Sequence, residues 1–186
     1  MRQLIGICGF SGSGKGSAGL ILEQNGFIQE SFAKPLKDVV AMIFNWPRVL
    51  LEGDTVEGRE WREQTDSWWS HALNRPNFTP RLALQLMGTE AGREVYGHNL
   101  WTSALINRLE PDKDYVVTDV RFVNEIKAIQ KAGGHVLHVV RGSYPEWFEY
   151  AQQCALGTQT SFDWHGQIIH RSEWDWVNTA MPQIFN

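Results

Sequence analysis

Nine residues constrain this chain more than any others: Gly9-Phe10-Ser11-Gly12-Ser13-Gly14-Lys15-Gly16-Ser17. Residues 3–8, Gln-Leu-Ile-Gly-Ile-Cys, read as a short buried strand, and residues 17–24 as a helix stopped by Asn25-Gly26. A glycine-rich turn between such a strand and a helix N-terminus is built for an anion. The first N–H groups of the helix lack intrahelical partners, its dipole adds positive potential, and glycine lets the backbone come close. The spacing fits a polyphosphate. Gly12, Ser13, Gly14, Lys15, Gly16 and Ser17 would wrap it, with Lys15 reaching the β- and γ-phosphates of ATP and a serine hydroxyl, that of Ser17, helping to hold Mg²⁺. Ser11 and Ser13 either add hydroxyl contacts or serve the turn. A glycine turn with no ligand is the competing reading, and the flanking strand and helix argue against it.

Downstream, the apolar pattern alternates between the two periods. Residues 27–32 read as a second strand. Pro35 at a first helical position, with Leu36, Val39, Val40, Ile43 and Phe44 at helical spacing, defines a helix that Trp46-Pro47 ends. Thr79-Pro80, as N-cap and first helical residue, opens a helix to about residue 96, and another covers about 100–109. Residues 115–119 and 135–140 are apolar strands separated by a helix over 124–131 and the stop Gly133-Gly134. This alternation predicts an α/β fold: the three-layer P-loop architecture, a parallel sheet flanked by helices. Residues 51–78 hold neither period and read as an irregular or short-helical insertion. Residues 144–153 read as a helix, and 157–166 as a polar loop able to close over phosphates.

The length of 186 residues suits one domain, residues 1–186. A net charge of −4 gives no nucleic-acid or membrane footprint, and no run approaches the roughly 20 apolar residues that span a bilayer. Cys8 and Cys154 have neither metal-ligand nor disulfide spacing, so the expected compartment is the reducing cytoplasm, the host's if the gene is a phage's. His165 and His170 lack the carboxylates or cysteines that would complete a metal site.

A second constellation suits a phosphate or base. Arg81, Gln85 and either Gly88 or Thr89 share one face of the helix that starts at Pro80, which reads either as a binding wall or as a solvated face. Asp119, Arg121 and Glu125 follow an apolar strand, where an open parallel sheet places its ligand crevice. Asp119 would hold Mg²⁺ through water or orient an acceptor, Arg121 would grip a phosphate, and Glu125 would accept from a sugar or base. An ion pair between Arg121 and Glu125 at i, i+4 is the alternative.

Taken together, T-P-R-x-x-L-Q-x-x-G-T at 79–89, D-V-R-F-x-N-E at 119–125 and S-F-A-x-P-L-K-D at 31–38 resemble the phage deoxynucleoside monophosphate kinases, in that family's order and over nearly the whole chain. The G-K-G-S ending of the glycine loop is similar to that of nucleoside monophosphate kinases, where the usual pattern has Ser or Thr directly after the lysine. The resemblance implies transfer of the ATP γ-phosphoryl to a deoxynucleoside monophosphate. By it, Arg81, Trp101, Asp119, Arg121 and Glu125 would line the acceptor site, with Lys37 a further candidate. Gln85 and Thr89 match the pattern in a binding or architectural role. Trp101 either stacks on a base or fills a core; Trp68, Trp69, Trp174 and Trp176 are read as structural.

Arg141 matches a V-V-R ending, after which a lid-like segment is expected over about 142–170; its charge would stabilise the phosphoryl in transit, or it is a surface arginine at a strand end. With Lys15, Asp119 and Arg121 it completes the expected catalytic set. His170 to Glu173 resembles a late H-x-S-E element. The family continues through a final strand, a glycine turn and one more helix, whereas this sequence stops at about that turn. The resemblance also points to a homodimer with nucleotides as its small-molecule partners. Two rivals stand: a kinase acting on dephospho-coenzyme A, and a regulatory or DNA-packaging module that uses ATP as a switch. The first explains the glycine loop but not the joint T-P-R and D-V-R-F motifs; the second predicts slow hydrolysis without an acceptor and a partner-binding surface, for which the Trp-rich insertion is the candidate.

Overall fold

The computed structural model describes residues 3–186. These form two compact units: residues up to Phe32 together with Leu105–Asn186, and Ala33–Ala104.

In the first unit, three largely apolar, buried runs and two more exposed edge segments pair into one sheet. Its strands are β1 (Leu4–Cys8), β2 (Ile28–Glu30), β3 (Tyr115–Val120), β4 (His135–Val140) and β7 (Gln183–Phe185), in the order β2-β3-β1-β4-β7 and all parallel. Parallel strands need helical crossovers, which cover both faces. Helix α1 (Lys15–Gln24) lays Ala18 and Leu22 on Ile7, Val116 and Val139. Helix α8 (Val123–Lys131) covers the opposite face, with Ile126 and Ile129 fully buried against Leu4, Val117, Val120 and Val136. Burying each such side chain stabilises the fold by about 1.5–3 kcal/mol. The helix comes this close because Gly6 faces it: a Cβ there would lie 2.6 Å from Ile129 Cδ1.

Three local expectations are corrected in this unit. The helix after the glycine loop begins at Lys15, inside the loop motif. Helix α9 (Phe148–Cys154) starts later than residue 144, because Pro145 biases Tyr144 away from helical backbone. Residues 157–166 are not one polar loop: β5 (Ser161–Trp164) and β6 (Gln167–His170) form an antiparallel hairpin. His165 (φ 52°) and Gly166 (φ 85°) supply the two positive-φ positions of a tight two-residue turn, and Asp163 accepts from the Gly166 N–H at 2.9 Å. Phe162 and Ile169 face inward onto Ala151, Cys154 and Trp174.

In the second unit, helices α2 (Lys34–Phe44), α3 (Val56–Glu63), α4 (Ser67–Ala72) and α5 (Pro80–Leu86) surround Val40, Leu51, Phe78 and Ala83. The expected short-helical insertion is α3 and α4, each started by a side-chain cap: Thr55 accepts from Gly58 and Asp66 from Trp69. Tryptophans are tolerated here because their N–H groups are satisfied: Trp46 donates to Asp66 at 2.8 Å and Trp69 to the Phe44 carbonyl at 3.0 Å. The helix expected to run unbroken from Pro80 changes character. After α5 comes a π-helical stretch, Met87–Arg93, then α6 (Glu94–Tyr96), and α7 (Leu100–Arg108) follows.

Candidate active site

The glycine loop closes β1 onto α1 through a left-handed residue. Gly14 (φ 101°, ψ 18°) is the N-cap, no side chain caps the first turn, and a Cβ at Gly14 would lie 2.2 Å from Asn186 Nδ2. The free N–H groups of that turn therefore point at an anion site. Gly12, at φ +76°, has open space where a side chain would be. In front lies a cleft of about 110 Å³ lined by Gly9, Ser11, Gly12, Lys15, Arg121 and, from the far end of the sequence, Ser172 and Glu173.

Lys15 Nζ is folded back on the loop, donating to the Gly9 and Phe10 carbonyls at 2.8 Å each. Its pKa is lowered, first by burial and then by Arg121, with Glu173 opposing. A polyphosphate would relieve both effects by adding negative charge where two cations converge. Ser13 is buried with its Oγ unpartnered, whereas Ser11 and Ser17 are exposed. Burial pushes the Cys8 thiol up to about 12, so it stays protonated and takes no part as a nucleophile.

By donor chemistry, Ser17, exposed beside the glycine loop, and Asp119, near the end of β3, are the residues that would serve a magnesium–nucleotide complex. Among the described residues no group of three or more His, Cys, Asp or Glu could hold a metal by itself. Mg²⁺ on a nucleotide keeps waters and phosphate oxygens and needs only one or two protein oxygens, which Ser17 and Asp119 can offer.

Strand β3 delivers Asp119 and Arg121 to the end of the sheet where α8 begins. Asp119 Oδ1 accepts from the Phe32 N–H at 2.9 Å. Arg121 reaches across the cleft to Glu173, Nη1 to Oε1 at 3.0 Å. Glu125, only 4 % exposed, accepts from the backbone N–H groups of Arg121 (2.8 Å) and Phe122 (3.0 Å). It thus satisfies the N-terminus of α8 and fixes the backbone that carries Arg121. Glu125→Ala should cost about 1–3 kcal/mol, with Glu125→Gln retaining part of the cap. Thermal unfolding checks this; a contact to the acceptor alone would raise KM and leave the melting temperature unchanged.

Sequence reasoning missed the partners that the hairpin delivers. The 3₁₀ turn Arg171–Glu173 presents Ser172 and Glu173 to the cleft. Buried Asp175 anchors it, accepting from Arg171 Nε at 2.6 Å and from the Val123 N–H, in α8, at 2.8 Å. The i, i+4 spacing of Arg171 and Asp175 was the available signal. Arg141 is exposed at the end of β4 and does not line this cleft.

In the second unit Arg81, Gln85 and Thr89 are exposed. Arg81 pairs with Glu63, and Lys37 with Glu52, which also holds Arg48. Burial alone would raise the Glu52 pKa, yet Lys37 and Arg48 hold it below the usual carboxylate range. Trp101 is 8 % exposed; its indole donates to the Gly88 carbonyl at 2.9 Å and its ring sits where a Cβ on Gly92 would be. The π-helical stretch thus wraps the tryptophan, leaving it little ring face for a base. Arg62 was also missed: it packs over Gly53, its buried Nε has no partner, and burial and then Arg81 disfavour its charge. Glu63 and Asp54 partly offset that repulsion.

A parallel sheet in the order β2-β3-β1-β4-β7, with a phosphate loop between β1 and α1 and helices on both faces, is the P-loop kinase fold. No protein-family model matches the chain. A curated protein of Acanthamoeba polyphaga mimivirus, named "Putative deoxynucleotide monophosphate kinase", is 29% identical over 177 residues, spanning 86% of this chain and 85% of its own length. That name is of the family to which the sequence motifs point, and the likeness supports a nucleotide kinase. Among the described residues no helix is long and apolar enough to cross a membrane.

Proposed function

We propose that the chain transfers the γ-phosphoryl group of ATP to a deoxynucleoside monophosphate, giving the diphosphate and ADP. The observation that carries this reading is the convergence of Lys15, Arg121 and the open, uncapped glycine loop on one cleft. The loop N–H groups and Lys15 bind the β- and γ-phosphates; Ser17 and Asp119 offer oxygens to Mg²⁺, which would neutralise phosphate charge. Arg121, released from Glu173, stabilises the phosphoryl as it moves, with Arg141 entering from the segment after β4. Arg81, with Arg62 beside it, engages the acceptor phosphate, while Lys37, Gln85, Thr89 and Trp101 shape its surroundings.

An acceptor phosphate oxygen attacks the γ-phosphorus in line as the bond to the β–γ bridging oxygen breaks, and ADP leaves. The attacking oxygen is already ionised near neutral pH, so no strong base is needed and positioning supplies the rate.

The test is ADP release by purified protein with ATP, Mg²⁺ and a panel of ribo- and deoxynucleoside monophosphates. At least one deoxynucleoside monophosphate should raise the rate well above the acceptor-free background. Stimulation only by dephospho-coenzyme A would shift the reading to that acceptor. Slow hydrolysis indifferent to every acceptor would make the protein an ATP-driven switch.

A further inference from the structure

We infer that a second ligand site lies behind the phosphate loop: the pocket between β4, α9 and the chain leading into β7 binds an uncharged planar heterocycle of the nucleobase class and, through Phe10, acts on the loop. The pocket has a volume of about 290 Å³ and shares no lining residue with the cleft over the loop. That is near the lower end for small-molecule sites and far more than one water needs.

Its chemistry selects the ligand. Tyr144, Phe148 and Trp176 supply aromatic walls, Gln152 and Gln183 supply amides, and no Asp, Glu, Lys or Arg lines it. A charged ligand would lose its hydration without finding a counter-charge, whereas a neutral aromatic ring gains stacking and edge hydrogen bonds.

His138 gives the independent sign of a missing partner. It is 5 % exposed and its Nε2 is buried without a hydrogen bond. Burial, and then Lys15, lower its pKa, so the ring is neutral at physiological pH. An orphaned buried nitrogen is unfavourable, and a ligand's ring N–H or ring nitrogen would satisfy it. The imidazole lies parallel to Tyr144 (8°, centroids 5.9 Å apart), and Gln183 donates to the Tyr144 hydroxyl at 2.9 Å, holding that wall in place.

The link to the loop is by contact. The Phe10 ring packs on Trp176 (4.7 Å), Tyr144 (5.9 Å) and Phe148 (5.9 Å), and the Phe10 carbonyl accepts from Lys15. Filling the pocket braces the wall on which Phe10 rests. Any resulting change in phosphate affinity is matched by an equal change in ligand affinity when phosphate binds.

Calorimetric titration of the full chain with thymidine and with deoxyadenosine, with and without saturating inorganic tripolyphosphate, tests this. At least one nucleoside should bind saturably at one site, and tripolyphosphate should change its affinity. Binding should weaken about tenfold in His138→Phe and several-fold in Gln152→Leu. Thermal melts establish that each variant is folded; should His138→Phe not fold, Gln152→Leu decides. The absence of saturable binding, meaning that the pocket holds only water, overturns the inference. So does unchanged affinity in the folded pocket variants, which would put the nucleoside at another site. An affinity indifferent to tripolyphosphate refutes the link to the loop. None of these titrations depends on phosphoryl transfer, so they stand apart from the monophosphate assay.

Discussion

Lys15→Ala is expected to lower turnover by about 10²–10³-fold, the usual effect of removing one charged donor from a site of developing negative charge. The loss should appear in kcat as well as in KM, because the ammonium group meets the phosphoryl oxygens both in the bound nucleotide and as charge moves. Stability should hardly change. The Lys15 side chain donates to the Gly9 and Phe10 carbonyls at the mouth of an open cleft, where water can replace it. The melting temperature should stay within about 2 °C, the scale of a surface substitution in a chain of this size. Near-normal ADP release in the folded variant would remove the glycine loop from the chemistry.

Trp174→Ala should produce the largest loss of stability, about 3–5 kcal/mol. The indole is fully buried, donates to the Ile169 carbonyl at 3.3 Å, and packs on Phe162 at 5.6 Å with the Arg171 guanidinium 5.7 Å from its ring. Those partners are both strands of the hairpin and the turn after it, so the cavity would loosen the element that holds Glu173. The melting temperature should fall by roughly 6–20 °C, and amide exchange should accelerate first in residues 161–170. A loss below about 1 kcal/mol, or exchange that rises uniformly, would show that the hairpin does not depend on this side chain.

How much was legible in the sequence follows the range of the interactions involved. The strand, glycine loop and first helix were readable because their signals are local: apolar runs, glycines and stops lie within a few residues of what they govern. Lys15 and Arg121 line one cleft because a parallel sheet brings its strand ends together on one edge. The hairpin was missed because His165, not Asn or Asp, occupies a left-handed turn position. Glu125 was read as a ligand contact or as an ion-pair partner of Arg121; the structure adds that it accepts from two backbone N–H groups, which no sequence period reveals as needing a partner.

By itself, the sequence determined the strands and helices around the glycine loop, the β3-α8-β4 alternation and the cations near the loop, since each is set by spacing within one segment. Tertiary structure alone decided the partners. Residues 52 positions apart pair as Arg121 and Glu173, and as Val123 and Asp175. The π-helical turn encloses Trp101, and His138 keeps an unsatisfied nitrogen beside a pocket. Such contacts depend on which side chains burial brings together, and burial is a property of the packed chain rather than of any local stretch of it.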